Sequence, residues 1–266
     1  MNAQMPSPGT LYLVPTPLDF GCDAPLAPID ATLPLGTLQI AARLPCWIGE
    51  NAKSLRAFLK RVDSVVPLVQ TLQTLDIQEL PRAVHKKGDH QSSTGAPAFD
   101  AKPLLTRAVR EGLDIGLASE AGMPAIADPG SSVVRAAYAL GLPVVPLSGP
   151  VSLVLALAAS GLNGQNFAFV GYLPQDPAGR VQRIRELESL ALKTGQTQIF
   201  IETPYRNTAL LAALLQTMQA NTRLALSCGL TLPEGKAFSR SLSVAQWRQQ
   251  KTGIPLDLPA VFCIGL

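Results

Sequence analysis

Small and acidic residues run together in Ser119-Glu120-Ala121-Gly122-Met123-Pro124-Ala125-Ile126-Ala127-Asp128-Pro129-Gly130, directly behind the apolar run Leu113–Ala118. Ile115, Leu117 and Ala118 read as a buried strand, and the segment behind them is kinked rather than helical. Small side chains let a ligand approach the backbone. A strand ending in such a loop presents N–H and C=O groups at the carboxyl edge of a sheet, where open α/β folds bind ligands. Asp128-Pro129-Gly130-Ser131-Ser132 then turns the chain into an apolar-periodic helix, Val133–Leu140. Ser148-Gly149-Pro150 does the same after the strand Pro143–Leu147. Two such units in succession have the form of a cofactor cleft, and they leave the cofactor open.

Two further carboxylates end apolar strands. Glu50 closes Cys46-Trp47-Ile48-Gly49 and precedes Asn51-Ala52-Lys53; Glu202 closes Ile199-Phe200-Ile201 and precedes Thr203-Pro204-Tyr205-Arg206. A carboxylate buried there without a partner would be costly. Glu50 therefore faces a cleft or pairs with Lys53 or Arg56. Asn51 and Thr203 also suit helix N-caps, and Pro204 suits a first helical turn.

Several common chemistries are excluded. Val14-Pro15-Thr16-Pro17-Leu18-Asp19-Phe20-Gly21 stands where a GxGxxG would come after the first strand, and the chain has no GxxxxGK[ST], HExxH or GxSxG. Its histidines are His85 and His90 alone, and Cys22, Cys46, Cys228 and Cys263 form no CxxC pair. The pattern argues against a zinc site or another metal centre and against a disulfide framework, and fits a reducing compartment. Three of the cysteines sit in apolar strand-like contexts and read as inert thiols.

Periodicity gives the elements that must position these residues. Strands are expected at Leu11–Val14, Pro45–Ile48, Asp114–Ala118, Pro143–Leu147, Phe167–Val170, Gln198–Ile201, Arg223–Cys228 and Ala260–Ile264. Helices are expected at Ala52–Val62, Lys102–Glu111, Ser132–Leu140, Pro150–Ser160, Arg180–Leu192, Arg206–Gln219 and Ser243–Gln250. Alternation in the first half predicts a parallel sheet with right-handed crossovers. The turn-rich second half, with Leu230-Thr231-Leu232-Pro233-Glu234-Gly235, predicts a mixed sheet. Two α/β domains result, 1–148 and 149–266, and the polar stretch Lys86–Lys102 reads as a mobile surface loop. In 266 residues, 47% hydrophobic and 15% charged, there is ample core for both. A net charge of +3 shows no strongly basic face for nucleic acid. No signal peptide is evident at Met1–Thr10, and the apolar stretch Leu153–Ala159 is too short to span a bilayer. A cytoplasmic protein with no membrane partner is expected.

Leu11–Pro17, Gly49–Lys53, Ser119–Gly130, Val144–Leu162, Phe169–Pro174, Phe200–Arg206 and Leu224–Leu232 together resemble the tetrapyrrole methylase superfamily of S-adenosylmethionine-dependent methyltransferases. Within it the chain is most similar to the ribosomal RNA small-subunit ribose 2′-O-methyltransferase group, as a divergent member. The resemblance implies two α/β domains with a cofactor cleft between them, a homodimer, and S-adenosylmethionine as cofactor. It places Pro15, Ser119, Glu120, Ala121, Gly122, Ala125, Ile126 and Ala127 near the methionine and ribose, and Ser152, Tyr172, Leu173, Thr203, Pro204 and Ser227 around the adenine. If the acceptor is a hydroxyl, a base is needed, for which Glu50 and Glu202 are the candidates; Lys53 and Arg206 are candidates to hold a substrate phosphate. By their position in or beside the polar loop, His85 and His90 read either as part of a substrate lid or as solvent-exposed histidines without a role. The implied acceptor is ribosomal RNA, in a 30S subunit; a tetrapyrrole or other small molecule, or a non-catalytic cofactor-binding role, are the alternatives. Where the group carries acidic-Asp-Thr-Arg, this chain has Glu50-Asn51-Ala52-Lys53. Ser119-Glu120-Ala121-Gly122-Met123-Pro124 replaces Ser-Asp-Ala-Gly-Thr-Pro, Ser148-Gly149-Pro150-Val151 replaces Pro-Gly-Pro-Ser, and Cys228-Gly229 replaces Arg-Glu.

Overall fold

The computed structural model describes residues 7–19, 21, 22, 25–81, 89, 99–250 and 253–266. His85, His90 and most of the 86–102 stretch lie outside the described residues. The chain forms two compact units, one from Met1–Phe20 and Ala27–Pro150, the other from Gly21–Leu26 and Val151–Leu266.

The first unit holds β1 (Leu11–Leu13), α1 (Leu35–Arg43), β2 (Cys46–Gly49), α2 (Ala52–Asp63), β3 (Asp76–Glu79), α3 (Thr106–Glu111), β4 (Ile115–Ala118), α4 (Ser131–Ala139) and β5 (Val144–Pro146). Its sheet runs β3-β2-β4-β1-β5, every pair parallel. Helices cover both faces, so β2 and β4 are buried at every residue. Trp47 enters one core with Val14, Leu38, Phe58 and Leu59, while Cys46 and Ile48 enter the opposite one with Leu117 and Val133. In α2, Leu55, Phe58, Leu59 and Val62 are the buried stripe, at the i, i+3, i+4, i+7 spacing of an amphipathic helix.

The second unit holds α5 (Ser152–Ser160), β6 (Phe167–Tyr172), α6 (Pro177–Thr194), β7 (Thr197–Glu202), α7 (Pro204–Thr217), β8 (Arg223–Cys228), β9 (Phe238–Ser243), α8 (Val244–Gln249) and β10 (Ala260–Gly265). Its sheet runs β6-β7-β10-β8-β9, with β6 and β7 parallel and the other pairs antiparallel. Phe200 stacks on Phe262, ring centroids 5.6 Å apart, inside one core, and Ile199, Ala225 and Cys263 line the other face beside α5.

Both sheets have the expected class, with corrections in detail. Helix α1 and strands β3 and β9 were not expected. The expected helix over 102–111 is a 3-10 turn, Lys102–Leu105, followed by the shorter α3. Helix α5 starts two residues late, since Val151 keeps extended backbone. Asp89, within the stretch read as a mobile loop, is buried. Cys46, Cys228 and Cys263 are buried, and burial pushes the thiols of Cys228 and Cys263 up to about 12. Among the described residues, no helix is long and apolar enough to cross a membrane.

Candidate functional site

Parallel strands β1, β2 and β4 lie side by side, so their carboxyl ends open at one edge of the first sheet. Three loops meet there. Thr16, behind β1, donates its N–H to the Gly122 carbonyl at 2.9 Å and accepts the Gly122 N–H at 3.0 Å. Its buried hydroxyl donates to the Ser119 carbonyl at 3.1 Å. Gly149, behind β5, lies so close to Pro15 that an added Cβ would sit 2.2 Å from Pro15 Cγ; no other residue fits there. The Thr37 hydroxyl pins the same turn by donating to the Ser148 carbonyl at 2.7 Å.

The loop behind β4 stores strain. Ala125 and Ala127 have left-handed backbone, φ 66 and 63, at a cost of roughly 1–2 kcal/mol each for a residue with a Cβ. Such outliers persist only where the surroundings fix them, and they gather at ligand sites. Part of the fixing comes from the Ala125 N–H, which donates to the Pro129 carbonyl at 3.2 Å. The rest comes from Asp89, whose Oδ2 accepts the N–H groups of Gly130 at 2.9 Å and Ser132 at 2.6 Å, and whose Oδ1 accepts the Ser131 hydroxyl at 2.8 Å. Burial by itself would raise the Asp89 pKa, but these donors at the start of α4 outweigh it and hold the carboxyl below its usual range.

An acidic group collects at this edge. Glu50 Oε1 accepts the Glu120 N–H at 3.3 Å, and Glu120 Oε1 accepts the Ser54 hydroxyl at 3.0 Å. Asn51 caps α2 by accepting the N–H groups of Lys53 and Ser54, and Glu79 Oε1 accepts the Ala52 N–H at 2.6 Å. Asp128 is pushed up to about 7, by burial first and then by the charges of Glu50 and Glu120. It thus exchanges a proton near neutrality. The Ser119 hydroxyl is buried here and has no hydrogen-bond partner among the described residues. Such a group is expected to be satisfied by something bound.

The structure therefore brings together Pro15, Ser119, Glu120, Ala121, Gly122, Ala125, Ile126 and Ala127 in these joined loops, with Glu50 against Glu120. Gly122 spends its own N–H and C=O on Thr16, so its part is close approach rather than polar contact. Lys53 is exposed on the first turn of α2.

The remaining predicted residues lie on the second unit. Ser152 opens α5. Leu173 is packed in the core, which leaves its backbone to meet a ligand, and the buried Ser227 hydroxyl is bonded to that of Ser239 at 2.9 Å. Thr203 occupies the N-cap position of α7 without a side-chain capping bond. Its N–H and hydroxyl instead donate to Glu202 Oε1, at 2.7 and 3.2 Å. The same Oε1 receives Arg206 Nε and Nη2, each at 2.8 Å. Pro204 is the first residue of α7, and Tyr172 ends β6 half-exposed.

Sequence reasoning passed over Asp128 and Asp89. The Asp128-Pro129-Gly130 turn was visible, but a raised proton affinity arises from Glu50 and Glu120, carried on other segments. Asp89 carries no local signal because its partners lie 41–43 residues further on.

A family model described as Tetrapyrrole (Corrin/Porphyrin) Methylases matches residues 52–244. Ribosomal RNA small subunit methyltransferase I of Micromonospora olivasterospora is 33% identical over 206 residues, 77% of this chain and 55% of the relative. The protein of the same name from Pseudomonas aeruginosa is 39% identical over 137 residues, 51% of this chain and 46% of the relative. The chain thus spans about half the length of the curated relatives it matches. Among solved structures, uroporphyrin-III-C-methyltransferase from Thermus thermophilus superposes with a TM-score of 0.53 at 20% identity, covering 97% of this chain and 94% of that one. That likeness shows the fold.

Proposed function

Because the chain belongs to the tetrapyrrole methylase family, we propose that it is an S-adenosylmethionine-dependent methyltransferase acting on a ribose 2′-hydroxyl of ribosomal RNA. The observation that carries the cofactor assignment is the strained loop Ser119–Gly130 with its buried Ser119 hydroxyl, which has no partner among the described residues. The acceptor class rests on the relatives, which are ribosomal RNA small subunit methyltransferases.

S-adenosylmethionine supplies, when bound, a methyl group activated by a sulfonium. Ser119 and the backbone of Glu120, Ala121 and Ala125–Ala127 would hold it in the first unit, beside Pro15 and Gly122. Glu50, Glu120 and Asp128 set a negative field that favours a cation. The remaining contacts proposed are Ser152, Tyr172, Leu173, Thr203, Pro204 and Ser227 of the second unit. Methyl transfer to a hydroxyl mainly demands alignment and removal of one proton. An Asp128 carboxylate oxygen is the acceptor we assign for that proton, since its proton affinity sits near operating pH. Glu50 tunes that affinity through its charge. Glu202, bound to Arg206 and Thr203, anchors α7 instead. Lys53 remains the proposed phosphate contact.

A soluble cytoplasmic homodimer is part of the proposal. Phe167 and Phe169 on edge strand β6 and Val154 and Leu155 on α5 are exposed, apolar area of the kind an interface covers. The deciding experiment incubates the protein with labelled S-adenosylmethionine and purified 30S subunits and maps the methylated nucleotide by mass. A 2′-O-methyl ribose in 16S RNA is expected; cofactor binding with methylation of a tetrapyrrole alone would replace the acceptor.

A further inference from the structure

Tyr172, Tyr205 and Arg206 form a layered cluster at the carboxyl end of β6 and the start of α7. The Arg206 guanidinium lies 5.2 Å from the Tyr205 ring centroid and 5.8 Å from that of Tyr172. Its Nε and Nη2 are both engaged by Glu202 Oε1, which is itself buried. The guanidinium is therefore fixed in place and its charge neutralised on one side. A neutralised arginine attracts phosphate weakly but still polarises an aromatic face.

Tyr172 reaches the cluster through a break in the strand. Phe167 and Phe169 pair with Thr197 and Ile199 of β7, but the register then shifts and Tyr172 pairs with Ile201. Gly171, at φ 74, absorbs the extra residue. Bulges of this kind re-aim a side chain. Here one turns Tyr172 to the face of Phe167 and Phe169 and lets Leu173 drop into the opposite core. Arg180 stiffens the next segment by donating from Nε and Nη2 to the carbonyls of Pro174 and Gln175. Tyr172 and Arg206 are thus braced from behind, whereas Tyr205 is 80% exposed.

We propose that Tyr205, backed by Arg206 and Tyr172, is a stacking platform for an unpaired nucleobase of the RNA acceptor. An exposed ring held by a fixed cation offers the π-face on which bases of single-stranded nucleic acid stack. It recognises a base rather than a phosphate, because Arg206 is already paired. The inference rests on the reading of the acceptor as RNA.

The test measures fluorescence anisotropy of a labelled single-stranded RNA oligonucleotide, and of the same oligonucleotide with abasic positions, against the full chain. Tyr205→Ala should weaken binding of the intact oligonucleotide about tenfold, within the range that one stacked base supplies. Tyr205→Trp should retain binding, and the abasic oligonucleotide should bind the parent protein as weakly as the intact one binds Tyr205→Ala. S-adenosylmethionine affinity by calorimetry and the melting temperature should not move. Equal binding by Tyr205→Ala, or equal binding of intact and abasic RNA, overturns the platform. So does a loss of cofactor affinity in Tyr205→Ala, which would assign the ring to the cofactor. Tyr205-dependent RNA binding without methylation of 30S subunits supports the platform while removing the proposed acceptor.

Discussion

Thr16 and Gly122 exchange both backbone hydrogen bonds, at 2.9 and 3.0 Å, and so fasten the loop behind the first strand to the loop behind the fourth. The Thr16 side chain adds a third bond, to the Ser119 carbonyl. Thr16→Val keeps the shape and the backbone pair but leaves that buried carbonyl without its hydroxyl. The unmet acceptor should cost about 1–3 kcal/mol. Urea unfolding should show this loss, and calorimetry should show weaker cofactor binding, since Ser119 is no longer held. An unchanged midpoint would mean that the carbonyl finds another donor.

Asp89 acts on the same loop from its far end. Its pKa is lowered in the folded chain, so the stability it contributes is present above the ordinary value of 3.8 and lost as pH falls through the folded value. Asp89→Asn removes the charge facing the first N–H groups of α4 and should lower stability at pH 7 by about 1–3 kcal/mol. The difference between variant and parent should be full above pH 3.8 and shrink only as pH falls through the lowered folded value, where the Asp89 carboxyl takes up its proton. Melting curves from pH 3 to pH 8 check this; a difference constant over that range would refute the charge argument.

These two anchors also mark what the sequence could reveal. Strands β2 and β4 were legible as short apolar runs buried at every residue, and helix α2 by its periodic stripe of Leu55, Phe58, Leu59 and Val62. Helix α1 hid because its inward face includes Thr37, Ala41 and Ala42, too small and too mixed to signal burial. Strand β3, Asp-Ile-Gln-Glu, lacks alternation and exists because β2 offers it a ladder. The loop Ser119–Gly130 announced itself by its small residues, whereas the proton affinity of Asp128 and the grip of Asp89 arise only when distant segments meet. Glu202 looked like a free strand-end carboxylate because a sequence does not display the reach of Arg206, four residues ahead.

Asp128 has the opposite sign to Asp89. Its folded pKa of about 7 exceeds the ordinary 3.8, so its contribution is full below pH 4 and declines as pH rises toward 7, levelling off above. Asp128→Asn carries no charge and should flatten that slope. The variant should match the parent near pH 4 and melt at a higher temperature at pH 8, by several degrees. Parallel melting curves across that range would show that Asp128 titrates normally.

The same carboxyl predicts how cofactor binding varies with pH. A sulfonium brought near Glu50, Glu120 and Asp128 favours the ionised form of Asp128 and should release its proton. Affinity for S-adenosylmethionine should therefore rise between pH 6 and pH 8, and the binding heat at pH 7 should vary with the ionisation enthalpy of the buffer. Asp128→Asn should bind with neither dependence. Glu50→Gln separates the roles further, because its amide oxygen still accepts the Glu120 N–H while its charge is gone. Asp128 should then titrate lower, so the variant melts no lower than the parent at pH 7 and keeps most of its cofactor affinity, while the alkaline rise in methyl transfer moves to lower pH and the maximal rate falls. An unshifted profile with a large fall in melting temperature would make Glu50 a structural partner of Glu120 and leave proton removal to another group.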